Sequence, residues 1–194
     1  MSGILNLQKN DILDLTKKDP SLNNIMLAAG WDVAKKGFFS FAAHDYDLDL
    51  VALLLDENDK LLGRSAIIYF KNQREKGIFL HGDNRTGAGD GDDEMISVTL
   101  SEIEPRCKKI VFAITIYDAV KRNQSFEKVK NAYIRLLNED KGHQEICRFN
   151  LSESGENKTA LIFAELNRVE NDWSFKAVGE LMNGSISTLA QRYV

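Results

Sequence analysis

The chain has 194 residues, 43% of them hydrophobic and 28% charged, which describes a globular protein able to bury a real core in one domain, or in one domain with appendages. A formal charge of −4 excludes unspecific nucleic-acid binding, which depends on a basic field. No apolar run approaches the ~20 residues that a membrane-spanning helix needs; the longest runs from Ile110 to Tyr117.

Residues 1–10 read as a loosely ordered arm with no basic-then-apolar leader. Asp11 to Thr16 suits a first strand, and Lys17-Lys18-Asp19-Pro20 is a turn, because proline disfavours continuation. Leu22 to Trp31 is ambiguous between helix and strand by period. Asp45 to Leu50 alternates strictly, with Asp47 and Asp49 on one face and Leu48 and Leu50 on the other. The run then becomes continuous, Val51 to Leu55, as in a buried strand. Asp56 to Asp59 is a turn, and Leu61 to Phe70 is expected as the returning strand of a hairpin.

Gly77 to His81 forms a short strand, and Met95 to Leu100 another. Ser101 is expected to cap a short helical connection. Lys109 to Tyr117, β-branched and apolar, is a central strand ending at Asp118. Ser125 to Asn138 fits both periods and is expected as a short helix near 125–130 followed by a strand. Glu145 to Leu151 pairs with that strand. Lys158 to Leu166 and Trp173 to Val178 are two more strands, and Ser185 to Tyr193 closes as a helix with Ile186, Leu189 and Tyr193 on one face. About ten short strands separated by turn signals predict a mostly all-β fold, a β-sandwich of two facing sheets.

Between Gly77–His81 and Met95–Leu100 lies the stretch that carries chemistry. From Asp83 to Glu94 five carboxylates stand against one cation, Arg85, so this segment alone holds a charge equal to that of the whole chain. Gly82, Gly87, Gly89 and Gly91 let the backbone turn sharply. Hard oxygen ligands on a flexible loop suit Ca²⁺, which takes ~6–8 oxygens in adaptable geometry. The window is twelve long and ends in Glu94, as an EF-hand loop does, but Arg85, Gly87 and Ala88 stand where ligands and the obligatory glycine belong, and strands flank it. The bland alternative is a solvated acidic turn. Asp47 and Asp49 would add carboxylates from a neighbouring strand, or simply form a polar face. Asp118 is either a further ligand or a strand-end residue.

Other constellations are weak. His44, His81 and His143 are scattered. Cys107 and Cys147 lack CxxC spacing, and reduced thiols in a cytoplasm are expected. Lys108 and Lys109 beside Cys107 are placed to lower its pKa. No G-x-S-x-G elbow is present. The same carboxylates would serve Mg²⁺ in a phosphodiester hydrolase, but no Lys, Arg or His constellation accompanies them.

Several motifs, in order, resemble the TerD family of tellurium-resistance and stress-response proteins. They are Gly30-Trp31-Asp32-Val33, Tyr46-Asp47-Leu48-Asp49, Gly82 to Glu94, and Val111 to Asp118. Arg148 to Glu153 and Trp173 to Gly179 extend the likeness to roughly residues 11–182. The resemblance implies a bacterial cytoplasmic β-sandwich, one TerD-like domain over 1–194, with two adjacent Ca²⁺ ions. Their ligands by motif position are Asp47 and Asp49 with Asp83, Asn84, Asp90, Asp92, Asp93 and Glu94, plus carbonyls near Gly87 and Gly89. It implies no catalysis, and partners among other, possibly membrane-associated, Ter-type proteins; direct lipid contact is a competing reading that the loop, lacking an apolar tip, does not favour. Ala88 stands where the family often has an acidic residue, and Leu50-Val51 where it usually has small or hydroxyl residues.

Overall fold

The structure, a computed structural model, describes residues 4–33, 46–82, 91–151 and 155–194. In chain order the strands are β1 (Leu5–Leu7), β2 (Ile12–Asp14), β3 (Asn24–Val33), β4 (Leu48–Leu55), β5 (Ile67–Ile68), β6 (Arg74–Glu75), β7 (Ile78–Leu80), β8 (Glu94–Thr99) and β9 (Lys109–Ile116), then helix α1 (Ala119–Arg122), β10 (Val129–Asn138), β11 (Gln144–Asn150), β12 (Ala160–Val169), β13 (Asp172–Met182) and helix α2 (Ile186–Gln191). They form two sheets, ordered β1-β11-β10-β3-β8-β7-β6 and β2-β13-β12-β9-β4-β5. This is the expected sandwich.

The continuous apolar runs are strands covered on both faces. Along β4, Leu48, Leu50, Ala52 and Leu54 enter the core between the sheets. Val51, Leu53 and Leu55 point outward and are covered by Leu189 and Tyr193 of the α2 region. Each such side chain taken from water contributes roughly 1.5–3 kcal/mol. β3 resolves the helix-or-strand ambiguity for the same reason: Ile25, Leu27, Ala29 and Trp31 face the core, while Met26 and Ala28 form an outer cluster with Leu137 and Met95. An element apolar on both faces has no diagnostic period.

Four local expectations change. Leu61 to Phe70 is not one strand: Leu61 makes a single bridge to Leu55 of β4, Gly63, at φ 130°, turns the backbone, residues 64–66 form a 3₁₀ turn, and Ile67 and Ile68 then pair with β4 as β5. Ser101 lies inside a 3₁₀ turn, Leu100–Glu102, and caps nothing. The arm expected at 1–10 holds a strand, β1, within its described residues 4–10, and the strand expected at Asp11 to Thr16 is β2. β1 runs parallel to β11 at one edge of the first sheet, and β2 antiparallel to β13 at one edge of the second. A tight turn joins them, with Asp11 N–H donating to Gln8 O and Asn10 N–H to Ala177 O. One short segment thus clips both sheets along one side. The expected helix near 125–130 is a 3₁₀ turn, Phe126–Lys128, leading into β10.

The strand registers bring the end of β3, the start of β4, the end of β7, the start of β8 and the end of β9 to the same end of the sandwich.

Candidate metal centre

β5 pairs with β4 only at Ala52 and Leu53. Above that point one edge of β4 has no strand beside it, and a backbone N–H left buried there is costly. Glu94 fills the gap. It is the first residue of β8, on the opposite sheet, and points inward with Ile96 and Val98. Its Oε2 accepts the Leu50 N–H at 2.6 Å. Asp49, the residue before Leu50, is 5% exposed. Asp47 precedes β4. Its carbonyl accepts the Tyr117 N–H at 2.8 Å, and its carboxylate lies 3.8 Å from Arg122 Nη1.

Asp93 continues the β3–β8 ladder. Its N–H donates to Ala29 O at 2.8 Å, and its Oδ2 accepts the Trp31 N–H at 2.9 Å. Burial raises its pKa above the usual carboxylate value, and the charges of Asp32 and Asp92 add to the rise against the Trp31 bond. Two neighbouring residues, Asp93 and Glu94, together with Asp49 from the facing sheet, thus place buried carboxylates at the sandwich end where the acidic loop is anchored.

Asp92 turns the other way, onto the outer face of the first sheet. Arg135 Nη2 donates to it at 2.6 Å and Arg135 Nε at 2.9 Å. Tyr133 donates its hydroxyl at 3.0 Å. Burial, together with the Asp92 charge, pushes the Tyr133 hydroxyl up to about 12, so it remains a donor. Arg135 also reaches Glu145 at 3.1 Å, Glu145 accepts from Arg148 at 2.9 Å, and the Arg148 guanidinium lies 4.5 Å over the Tyr133 ring. Asp92 is therefore already held by a cation and a phenol. Neither partner was legible in the sequence, because each lies more than forty positions away and no local pattern marks it.

Asp118 is exposed and left-handed, φ 51°, before α1. Its side chain makes no cap bond, and its carbonyl accepts the Arg122 N–H. It borders a groove of about 740 Å³ with Ile116, Thr159 and Thr188, on the β12 and α2 side of β9 and away from β4. Asp83, Asn84, Gly87, Gly89 and Asp90 lie outside the described residues. Among the described residues no group of three His, Cys, Asp or Glu side chains could hold a metal ion. His81 Nε2 is 2.8 Å from Ser97 Oγ, on the outer face. Both cysteines are buried thiols. Burial pushes Cys107 up to about 11 and Cys147 up to about 12, so the neighbouring lysines do not activate Cys107.

The carboxylate oxygens at β4 and β8 are donors of the kind a hard cation takes, but among the described residues no three of them come together as one site. Every candidate ligand at β4 and β8 is a carboxylate oxygen, with no thiolate or imidazole among them. Buried carboxylates of like charge are each destabilised by the others, and a divalent ion between them reverses that sign.

A family model for the TerD domain matches residues 4–193. The tellurium resistance protein TerD of Serratia marcescens is 39% identical over 97% of this chain and 96% of its own length. General stress protein 16U of Bacillus subtilis is 38% identical over the same shares. A solved structure described as a homologue of telluride resistance protein (TerD), from Streptomyces coelicolor A3(2), has a TM-score of 0.70 over 88% of this chain and 96% of that one, at 18% identity, a likeness of fold alone. By its match over nearly its full length, the chain belongs to the TerD domain family of tellurium-resistance and stress-response proteins.

Proposed function

We propose that this protein is a non-enzymatic, cytoplasmic Ca²⁺-binding member of the family, whose ions order the loop at 83–94 into a surface for other Ter-type proteins. Two adjacent ions are held by Asp47 and Asp49 on one side and by Asp83, Asn84, Asp90, Asp93 and Glu94 on the other, with carbonyls near Gly87 and Gly89. Asp92 takes part only at the expense of its bonds to Arg135. The observation that carries this reading is the burial of Asp49, Asp93 and Glu94, at 5%, 7% and 3% exposure, at the end of the sandwich that also carries the acidic loop. Without a cation such a set opposes folding; with one it becomes a stabilising centre. Relatives named for tellurium resistance include TerX and TerZ of Serratia marcescens, 37% and 34% identical, and several such proteins side by side in one organism support a reading in which they assemble. Two free, buried cysteines accord with a reducing compartment.

Thermal melting in EGTA and in Ca²⁺ tests the proposal. An ion that binds only the native state stabilises it by ~2.7 kcal/mol at a hundredfold excess over Kd, which for a chain of this length raises the midpoint by roughly 5–11 °C. An unchanged midpoint at every Ca²⁺ concentration up to millimolar refutes it. A larger rise with Mg²⁺ than with Ca²⁺ refutes the choice of ion.

A further inference from the structure

Beside Asp47, a string of aromatic and cationic side chains runs over the surface. Lys71 Nζ sits 5.4 Å over the Phe70 ring. Phe70 meets Tyr69 edge-on at 5.3 Å and Tyr117 at 5.9 Å. The Arg122 guanidinium lies 5.0 Å over Tyr117. These contacts join the segment after β5 to the turn after β9. That turn is α1, one helical turn set between two left-handed residues, Asp118 and Asn123. So tight a turn stands out from the sandwich, and Val120 at its crest is 92% exposed. Lys121 beside it is exposed, and Tyr117 is 38% exposed.

We propose that this crest, Val120 with Lys71, Phe70, Tyr117 and Lys121, docks on an anionic lipid bilayer surface. The residue types are those of the membrane interface. Tyrosine places an apolar body and a polar tip at headgroup level, and lysine and arginine extend apolar stems behind their charges. From Tyr117 to Lys130 the chain carries four cations, Lys121, Arg122, Lys128 and Lys130, against Asp118 and Glu127, so this stretch is cationic although the protein is acidic. The Asp47 carboxylate is paired with Arg122. A convex tip with one aliphatic side chain suits a yielding headgroup layer better than a protein interface, whose strong contacts are buried in pockets. Docking of this kind does not depend on a bound cation.

Co-sedimentation with phosphatidylglycerol–phosphatidylcholine vesicles, and with phosphatidylcholine alone, tests it at low salt in EGTA and again in Ca²⁺. The protein is expected to pellet with the anionic vesicles and not with the neutral ones. Each cation removed, by Lys71→Gln or Lys121→Gln, weakens binding roughly fivefold, and Val120→Asp weakens it about tenfold, with melting midpoints unchanged because all three positions are exposed. Equal partition between the two vesicle types, or variants that bind like the parent, overturns the proposal. So does full release by soluble glycerol phosphate, which points to a free phosphate, or by polyglutamate, which points to an acidic protein. Calorimetric titration of Ca²⁺ without lipid separates the two readings. Vesicle binding without Ca²⁺ heat leaves docking standing and removes the metal centre; Ca²⁺ heat without vesicle binding does the reverse.

Discussion

Replacing Gly30 by alanine should destabilise the protein by driving the Tyr133 ring away from Asp92. Gly30 stands opposite Tyr133 in the β3–β10 ladder. A Cβ added there would lie 2.5 Å from both Cζ and Oη of the Tyr133 ring, well inside van der Waals contact. The ring cannot simply lift away, because Arg148 covers it at 4.5 Å and its hydroxyl is bonded to Asp92. Overpacking costs about 1–3 kcal/mol, and loss of a hydrogen bond to a charged group costs about 1.5–3 kcal/mol where it is complete. Partial relaxation leaves about 2–4 kcal/mol, a fall in melting midpoint of roughly 5–15 °C for a chain of this length. In a Tyr133→Ala background the obstructing ring is absent. There Gly30→Ala should be neutral or stabilising by about 0.5–1 kcal/mol, because alanine restricts the unfolded chain more than glycine does. Urea unfolding of the four proteins closes the cycle. Equal penalties in the two backgrounds would show that the Tyr133 ring does not need the bare backbone at Gly30, and the reasoning would fail.

Arg135→Met should cost about 1–3 kcal/mol at pH 7 in urea unfolding, less than for a fully buried pair, because the Arg135 side chain keeps 28% of its exposure. Glu145 explains how that gap should vary with pH: burial alone would raise its carboxyl, but bonds from Arg148 and Arg135 outweigh this and hold it below its ordinary value. Its contribution is therefore present above the unfolded pKa and lost as pH falls through the folded one, so the gap between parent and Arg135→Met should narrow toward pH 3; a constant gap would contradict this. Asp93 has the opposite sign. Its folded pKa is raised, so the stability it contributes is present below the unfolded value and disappears as pH rises through the folded one. Asp93→Asn keeps an oxygen for the Trp31 N–H and removes the buried charge. In EGTA it should stabilise the protein at pH 7 but not at pH 3, while reducing the Ca²⁺ shift; a lower midpoint than the parent at pH 7 would refute the account.

The long buried strands were legible because β-branched runs such as Lys109–Ile116 mean the same thing in any context. The register that brings Glu94 to Leu50 was not, since it depends on β5 ending at Ile68, where the Tyr69–Asn72 turn takes the chain away from β4 before it reaches Leu50. Asp47 and Asp49 alternate as expected in sequence, yet only Asp49 lies within the strand. Asp92, Asp93 and Glu94 looked equivalent as a run of charge. The fold sorts them: Glu94 opens β8 and points to the core, whereas Asp92 precedes the strand and turns to the outer face against Arg135. Arg135 itself sits in a stretch that fits helix and strand alike, so its orientation had no signal until β10 was placed.

The clip formed by β1 and β2 bears on how the protein is made. Leu5 pairs with Cys147, and Leu13 with Phe175. The strands made first in this domain are thus held by strands made among its last. Neither sheet can acquire its finished edge during most of synthesis, and the exposed Ile4, Leu5 and Ile12 must wait beside growing chain. Pairings so distant in sequence close slowly, since the entropy of the long loop is lost before the contacts reward it. This sandwich can close only once its last strands arrive, and until then its open edges are available to pair with other chains.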